Sequence, residues 1–353
     1  MTESSTMPPK KAPPAPVKSA QFDLFTSFFG DSKDLSNTIE LWDAIPKYCV
    51  SQKQQNHLRD EKGNLPVHKQ EFEYRPTAHG NPIAVQCRVT IQPASIENPD
   101  GTFTQYYPST DEELIEEVLK KIFTDQQYGI HAPAQNESWV RFSLYMIREE
   151  LKARGKTRSL PEIKKSLEIL ARSVYAVQIE GPTAKKLAYE NTILGNMTRT
   201  TRADYLEDTK ALWCAQLPAL VSKSINELTY RQFNYATLMS LSTPLARWIH
   251  KRLSHNYINA GLMQPYNILF SSIQRDSGLL HHIRPAGNIK TLEAALEELK
   301  VKNVLWWFKK DARKQGRGVQ DVLYTLQPTS DFISEIKAAN ARQRDGLKAI
   351  GRD

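Results

Sequence analysis

The chain has 353 residues, 40% of them hydrophobic and 9% aromatic, which supports packed cores and excludes a disordered protein. Its 47 Lys and Arg against 39 Asp and Glu leave a formal charge of +8, a surplus that favours a polyanionic partner, nucleic acid or an anionic membrane, without naming either. No apolar run approaches the roughly 18 residues of a spanning helix, no signal-like segment stands at the amino terminus, and Cys49, Cys87 and Cys214 lie far apart without CxxC spacing. A reduced, cytoplasmic protein with no membrane contact, no metal and no cofactor is expected.

Residues 1–34 read as a disordered, proline-rich arm, since MTESSTMPPKKAPPAPVKSA holds little that can pack. The aromatic cluster Phe22, Leu24, Phe25, Phe28 and Phe29 at its end is expected to dock on the protein's own core, because a free arm exposing so many rings would aggregate. NTIELWDAIPKYCV follows, then a polar loop, then FEYRP and IAVQCRVTIQPASI, whose period-two alternation predicts half-buried strands. STDEELIEEVLKKIF opens a helix at Ser109 or Thr110, with acids in its first turn and lysines in its last. SWVRFSLYMIREELKARG is read as a second, largely buried helix starting near Ser138.

TRSLPEIKKSLEILARSVYAVQIEG has an amphipathic helix running straight into an apolar strand. Adding 129 to its positions carries Leu167 onto Leu296, Leu170 onto Leu299, Tyr175 onto Val304 and Val177 onto Trp306, so the same grammar occurs twice. Between the copies, TILGNMTRTTRADYLEDTKALWCAQLP reads as alternating strand and PALVSKSINEL as a helix. RQFNYATLMSLSTPLARWIHKRLSHNYI reads as a long helical stretch restarted at Pro244. Its Arg247, Lys251 and Arg252 face outward in this reading, as phosphate contacts or as a solvated face. In the second copy an apolar run (Tyr266, Ile268, Phe270) leads to a short helix, then to an amphipathic helix with Asn288 as N-cap and a core face of Leu292, Leu296 and Leu299. VLWWFKK, the basic tip DARKQGRG and VQDVLYTLQ complete a hairpin. That order is a winged helix, a helix-turn-helix variant whose second helix can enter a DNA major groove.

The expected fold is therefore α+β, with two tandem winged-helix domains at 35–218 and 219–327 and a basic C-terminal tail at 328–353. The predicted recognition helix spans 288–300 and its wing 309–317. Arg284, Asn288, Lys290 and Thr291 are placed at base edges. Lys309, Lys310, Arg313, Lys314 and Arg317 on the hairpin, with Arg275 on the preceding helix, are placed near phosphates. In the first domain the counterpart candidates are Arg158, Lys164 and Lys165.

No catalytic constellation emerges, so no enzyme is expected. The GxxxxGK[ST] phosphate loop is absent, and the adjacent His281 and His282 cannot point the same way from a strand as a metal pair must. His281, Arg284 and Tyr324 imitate the spacing of a tyrosine recombinase, a competing reading that makes Tyr324 a nucleophile.

NTIELWDAIPKY, TRSLPEIKKSLEIL, and LMSLSTPLARWIHKRLSHNY leading into LLHHIRPAGNIKTLEAALEEL resemble the Rep replication initiators of theta-replicating plasmids of Gram-negative bacteria, over most of the chain from residue 35 to 327. The resemblance implies binding of double-stranded origin repeats (iterons), opening of the adjacent duplex, recruitment of host DnaA and DnaB, and a homodimer joined through the first domain. It also implies that the second domain makes the more sequence-specific contact. A transcriptional repressor without a replication role would use the same fold equally well.

Overall fold

A computed structural model describes residues 19–351 except 29, 77–83, 181–186, 201–211 and 316–317. The segment 1–18 and Arg317 thus lie outside the described residues, as do the side chains of Lys314 and Gln315.

The Ser19 hydroxyl accepts from the Phe22 amide and caps α1 (Ala20–Thr26). Phe22 and Phe25 are buried against Phe123, and Phe25 meets the edge of Tyr230. Phe22, Leu24 and Phe25 of the aromatic cluster do dock on the chain's own core, while Phe29 lies outside the described residues. The arm expected to run disordered to residue 34 is therefore built into the fold from residue 19, because its rings have a core to enter.

β1 (Leu35–Ile39), α2 (Glu40–Ala44) and α3 (Gln52–Leu58) follow. The alternating stretches form β2 (His68–Tyr74), β3 (Val85–Gln92), β4 (Ala94–Glu97) and β5 (Phe103–Tyr106), with Phe72, Cys87, Val89 and Ile91 inward. Ser109 and Glu112 form a capping box that starts α4 (Thr110–Phe123). β6 (Gly129–Ala132) then pairs with β7 (Glu137–Phe142), and α5 (Leu144–Ala153) begins only after Ser143, whose hydroxyl accepts from the Met146 amide. The single helix expected from Ser138 is thus a strand and a shorter helix. Trp139, Val140 and Phe142 suit a pleated sheet, and Ser143 supplies the true cap.

α6 (Leu160–Arg172) runs through Ser173 into β8 (Val174–Glu180), which pairs with β9 (Leu187–Thr192) on one side and β3 on the other. β10 (Gly195–Thr198) and β11 (Trp213–Gln216) join β7 and β6 in a second four-stranded sheet. α7 (Ala219–Glu227) leads to β12 (Tyr230–Asn234), which returns antiparallel to β1, and to α8 (Tyr235–Ser240). RQFN, read as helix from sequence, is this closing strand. The first core runs from Phe22 to Met239 and the second begins at Leu241. The division drawn at 218 accordingly falls before three elements, α7, β12 and α8, that complete the first domain.

The second unit comprises α9 (Pro244–Asn256), β13 (Tyr266–Leu269), α10 (Phe270–Ser277), α11 (Pro285–Val301), β14 (Leu305–Gln315) and β15 (Gly318–Pro328), with strand order β13-β15-β14. This is a winged helix. α4, α5, α6, β8 and β9 repeat its helix, helix, helix, hairpin order in the first unit. The repeat inferred from spacing holds in packing, since Leu167 and Leu296, and Leu170 and Leu299, are all fully buried. It breaks where Val177 is buried and Trp306 is 70% exposed, because the β14–β15 register shifts between Leu305 and Trp307 and turns Trp306 outward.

The basic tail expected from 328 is instead α12 (Ser330–Ala349), capped by Thr329 and packed back across both cores. Phe332, Ile333 and Ile336 enter the second core, while Leu347 and Ile350 pack on the first. Arg342 reaches the carbonyls of Leu24 and Phe25 and the side chains of Asn37 and Gln232.

Candidate nucleic-acid interface

Helix α11 starts where Arg284 (φ −89, ψ 125) precedes Pro285, not at Asn288. Proline is pre-set for the first helical position and lacks only an amide the helix would leave unpaired. At the other end Asn303 adopts φ 58 and the Val304 amide returns to the Leu299 carbonyl at 2.9 Å, a left-handed stop. Leu292, Ala295, Leu296 and Leu299 face the core, which turns Ala286, Lys290, Ala294 and Glu297 to solvent. The N-terminal half of that exposed stripe carries no acid. Two alanines in it allow close backbone approach to a groove.

Asn288 cannot read a base. It is 2% exposed, and its side chain accepts from the His282 amide at 2.8 Å and donates to the His282 carbonyl at 2.9 Å. Thr291 is half-buried and its hydroxyl donates to the Gly287 carbonyl at 3.0 Å. Arg284 and Lys290 are exposed and have no ion-pair partner among the described residues, so of the four predicted base-edge residues these two remain available.

On the hairpin, Lys309 pairs with Asp311 at 2.8 Å and Lys310 with Glu293 of α11 at 2.5 Å, both exposed pairs of small worth that a phosphate can displace. Arg313 stands directly across from Asp321 in the ladder. The Asp321 carboxylate, however, accepts from the Ser271 amide at 3.2 Å and hydroxyl at 2.5 Å and from the Val322 amide at 2.7 Å. Arg313 is left exposed with no ion pair among the described residues, as is Lys302 at the end of α11. Lys302, Ala286 and Ala294 join the surface; anchoring the 3.6-residue period on Leu292 and Leu296 would have found the alanines.

Arg275 does not belong to this surface. Its guanidinium pairs with Asp276 at 2.6 Å and Glu73 of β2 at 3.2 Å, tying α10 to the first domain. The same seam holds Gln70 against the Arg275 carbonyl and Arg252 against Asp276, each within 2.9 Å. At its centre Gly278 has φ +60, and a Cβ there would stand 2.9 Å from the Cys49 Cβ, so only glycine fits.

The helix α9 cations are likewise internal. Arg247 is fully buried against Glu113 at 2.7 Å. Lys251 pairs with Asp43 at 2.9 Å and with Glu117, while Lys120 pairs with the same two carboxylates at 2.9 and 2.8 Å. Burial would raise the Asp43 pKa, but Lys120, Lys251 and Lys47 overrule it and hold its carboxyl well below the usual range. Lys47, beside Glu116, is drawn down to about 8 because burial outweighs its carboxylate neighbours. These cations are spent on carboxylates within the chain.

In the first domain Arg158 is engaged by Asp111 at 2.5 Å and by the Thr157 carbonyl at 2.6 Å, which removes it as a free phosphate contact. Lys164 and Lys165 stay exposed on α6, with the Lys165 ammonium 4.0 Å from the Tyr106 ring centroid. The recombinase reading fails on geometry. Tyr324 is fully buried and burial pushes its phenol up to about 12, while the His281 ring meets the Cys49 carbonyl at 2.7 Å. Among the described residues no helix is long and apolar enough to cross a membrane.

No family model matches the chain, and no curated protein matches it. Among solved structures it is similar to domains 2 and 3 of RctB, at 9% identity over 81% of this chain and 99% of that one, with a TM-score of 0.43. It is also similar to the Pi initiator protein in complex with iteron DNA, at 13% identity over 55% of this chain and 82% of that one, with a TM-score of 0.37. At such distances the interface has to be read from this chain's own residues.

Proposed function

We propose that the chain is a sequence-specific double-stranded DNA-binding protein that initiates replication at repeated origin sequences. The observation that carries the DNA reading is the acid-free start of α11, Arg284 to Lys290, beside a hairpin whose Arg313 has no ion pair among the described residues, the Asp321 carboxylate opposite it being engaged by Ser271. A recognition helix typically contacts base edges with its N-terminal residues. Lys290 and Arg284 reach the groove edges there, and Lys302, Lys309, Lys310 and Arg313 hold phosphates and fix register. Lys164 and Lys165 of the first domain add backbone contacts. The replication role, the recruitment of DnaA and DnaB and the pairing of two copies belong to the same proposal and rest on the sequence resemblance.

The test is anisotropy on a duplex enriched from a random pool, against scrambled DNA, over a salt series. Arg313→Ala weakens both duplexes alike and reduces the log–log salt slope by about 1, whereas Lys290→Ala lowers the specific-to-random ratio by roughly 1–3 kcal/mol. Equal losses on both duplexes for both variants refute this division of labour. A plasmid carrying only this gene and its neighbouring repeats is maintained in cells if the protein initiates replication. Loss of the plasmid together with silencing of a reporter identifies a repressor.

A further inference from the structure

Ile283 is the most exposed large apolar side chain among the described residues, at 101% of its reference area, and it stands in the turn immediately before α11. Single exposed apolar residues are ordinary on protein surfaces. What distinguishes this one is how firmly it is displayed. On one side, both main-chain polar groups of His282 are bonded by the buried Asn288 side chain, at 2.8 and 2.9 Å. Gly287 adds to the constraint, because the His282 ring lies where a Cβ would stand, 2.9 Å from its Cγ. On the other side, Arg284 caps the helix and its carbonyl accepts from the Gly287 amide at 3.0 Å. A β-branched side chain has few rotamers to lose on binding. The turn therefore holds out a stiff apolar group with Arg284 next to it and Lys290 nearly two turns further along α11. The nearest α11 carboxylates, Glu293 and Glu297, are occupied by Lys310 and Lys300. Apolar surface ringed by free cations suits a polyanion that itself presents a methyl group.

Resting on the DNA-binding reading above, we propose that Ile283 is a specificity-determining residue that covers a thymine 5-methyl group in the major groove. The methyl is the one apolar feature of a major-groove edge, so the contact discriminates thymine from cytosine and from uracil without any hydrogen bond.

The experiment starts from a consensus duplex selected from a random pool with the full wild-type chain, then replaces each thymine singly by deoxyuridine, which deletes only the methyl. Wild type loses about threefold to tenfold in affinity at one or two positions, the worth of one buried methyl. In Ile283→Ala the loss at those positions shrinks to less than twofold, while binding to random DNA is unchanged. Deoxyuridine penalties that persist in Ile283→Ala, or that are absent from wild type, overturn the assignment and leave the DNA reading standing. A pool that yields no consensus overturns the sequence-specific reading, and this assignment with it. An unchanged circular dichroism spectrum and melting temperature confirm that the variant is folded.

Discussion

Replacing Arg247 by methionine probes how the two winged-helix units are joined. The guanidinium is fully buried where α9 meets α4, donating twice to Glu113 Oε2 at 2.7 and 3.1 Å, and to the carbonyls of Leu241 and Ser242 at 3.1 and 3.3 Å. Methionine fills similar length with no donor, so Arg247→Met strands a buried carboxylate. Removing one partner of such a pair costs about 3–5 kcal/mol, a large share of the roughly 5–15 kcal/mol that holds a typical protein folded. Adding Glu113→Gln removes the stranded charge. The double variant should therefore recover to within about 2 kcal/mol of wild type. Urea unfolding followed by tryptophan fluorescence measures both, since Trp42 and Trp248 lie close to this seam. A single variant that costs under about 1 kcal/mol, or a double variant no better than the single, would refute the reasoning.

His250 lies between Phe233 and Phe332 with neither ring nitrogen hydrogen-bonded among the described residues, and burial holds its pKa down to about 3. The unfolded chain takes up a proton below about pH 6.5 that the native ring refuses, so this stability is intact above that pH and lost as pH falls toward 3, by up to about 1.4 kcal/mol per pH unit. His255, also held at about 3, does the same. His250→Leu should lower the acid slope between pH 6 and 4 by about one proton and keep neutral stability. An unchanged slope in a pH series of chemical melts rules this out. Asn288→Ala should destabilise by about 1–3 kcal/mol, because the His282 amide and carbonyl both lose the Asn288 side chain as a partner. A melt matching wild type would show that water replaces the bracket at no cost.

Legibility followed the range of the determining contacts. Helix α11 and the hairpin could be read because Leu292, Leu296 and Leu299 mark one face and the period then changes, all within 40 consecutive residues or so. The start of α11 could not. Cap statistics favour asparagine, but the Asn288 side chain turns inward to His282, and Arg284 with Pro285 sets the boundary. β7 was hidden for a related reason: Trp139 and Phe142 lie three apart, as on a helix face, β7 is buried on both faces and so shows no alternation, and the cap at Ser143 decides. The buried cations were misread because Arg247 and Lys251 sit four apart with Arg252 beside them, a pattern identical to a solvated face. Their partners Asp43, Glu113 and Glu117 lie more than 100 residues upstream, where they look equally solvated.

That sorting of cations bounds what the positive charge can do. Lys47, Lys120, Arg247 and Lys251 face Asp43, Glu113, Glu116 and Glu117, so the seam is internally neutral and adds nothing to the +8 surplus. Salt screens exposed charges over about 10 Å at 0.1 M but reaches a buried, compensated network only weakly. The salt dependence of DNA binding should therefore report the surface cations and not the joint. On the α11 and hairpin surface, among the described residues, these are Arg284, Lys290, Lys302 and Arg313, with Lys309 and Lys310 exchangeable. At about −0.9 per phosphate contacted, the four that hold phosphates, Lys302, Lys309, Lys310 and Arg313, set a slope of about −4. A slope much steeper than that calls for further cations, and Lys164 and Lys165 on α6, the recognition-helix counterpart of the first domain, are exposed candidates. A shallower one means that Lys309 and Lys310 keep their carboxylates when DNA is bound.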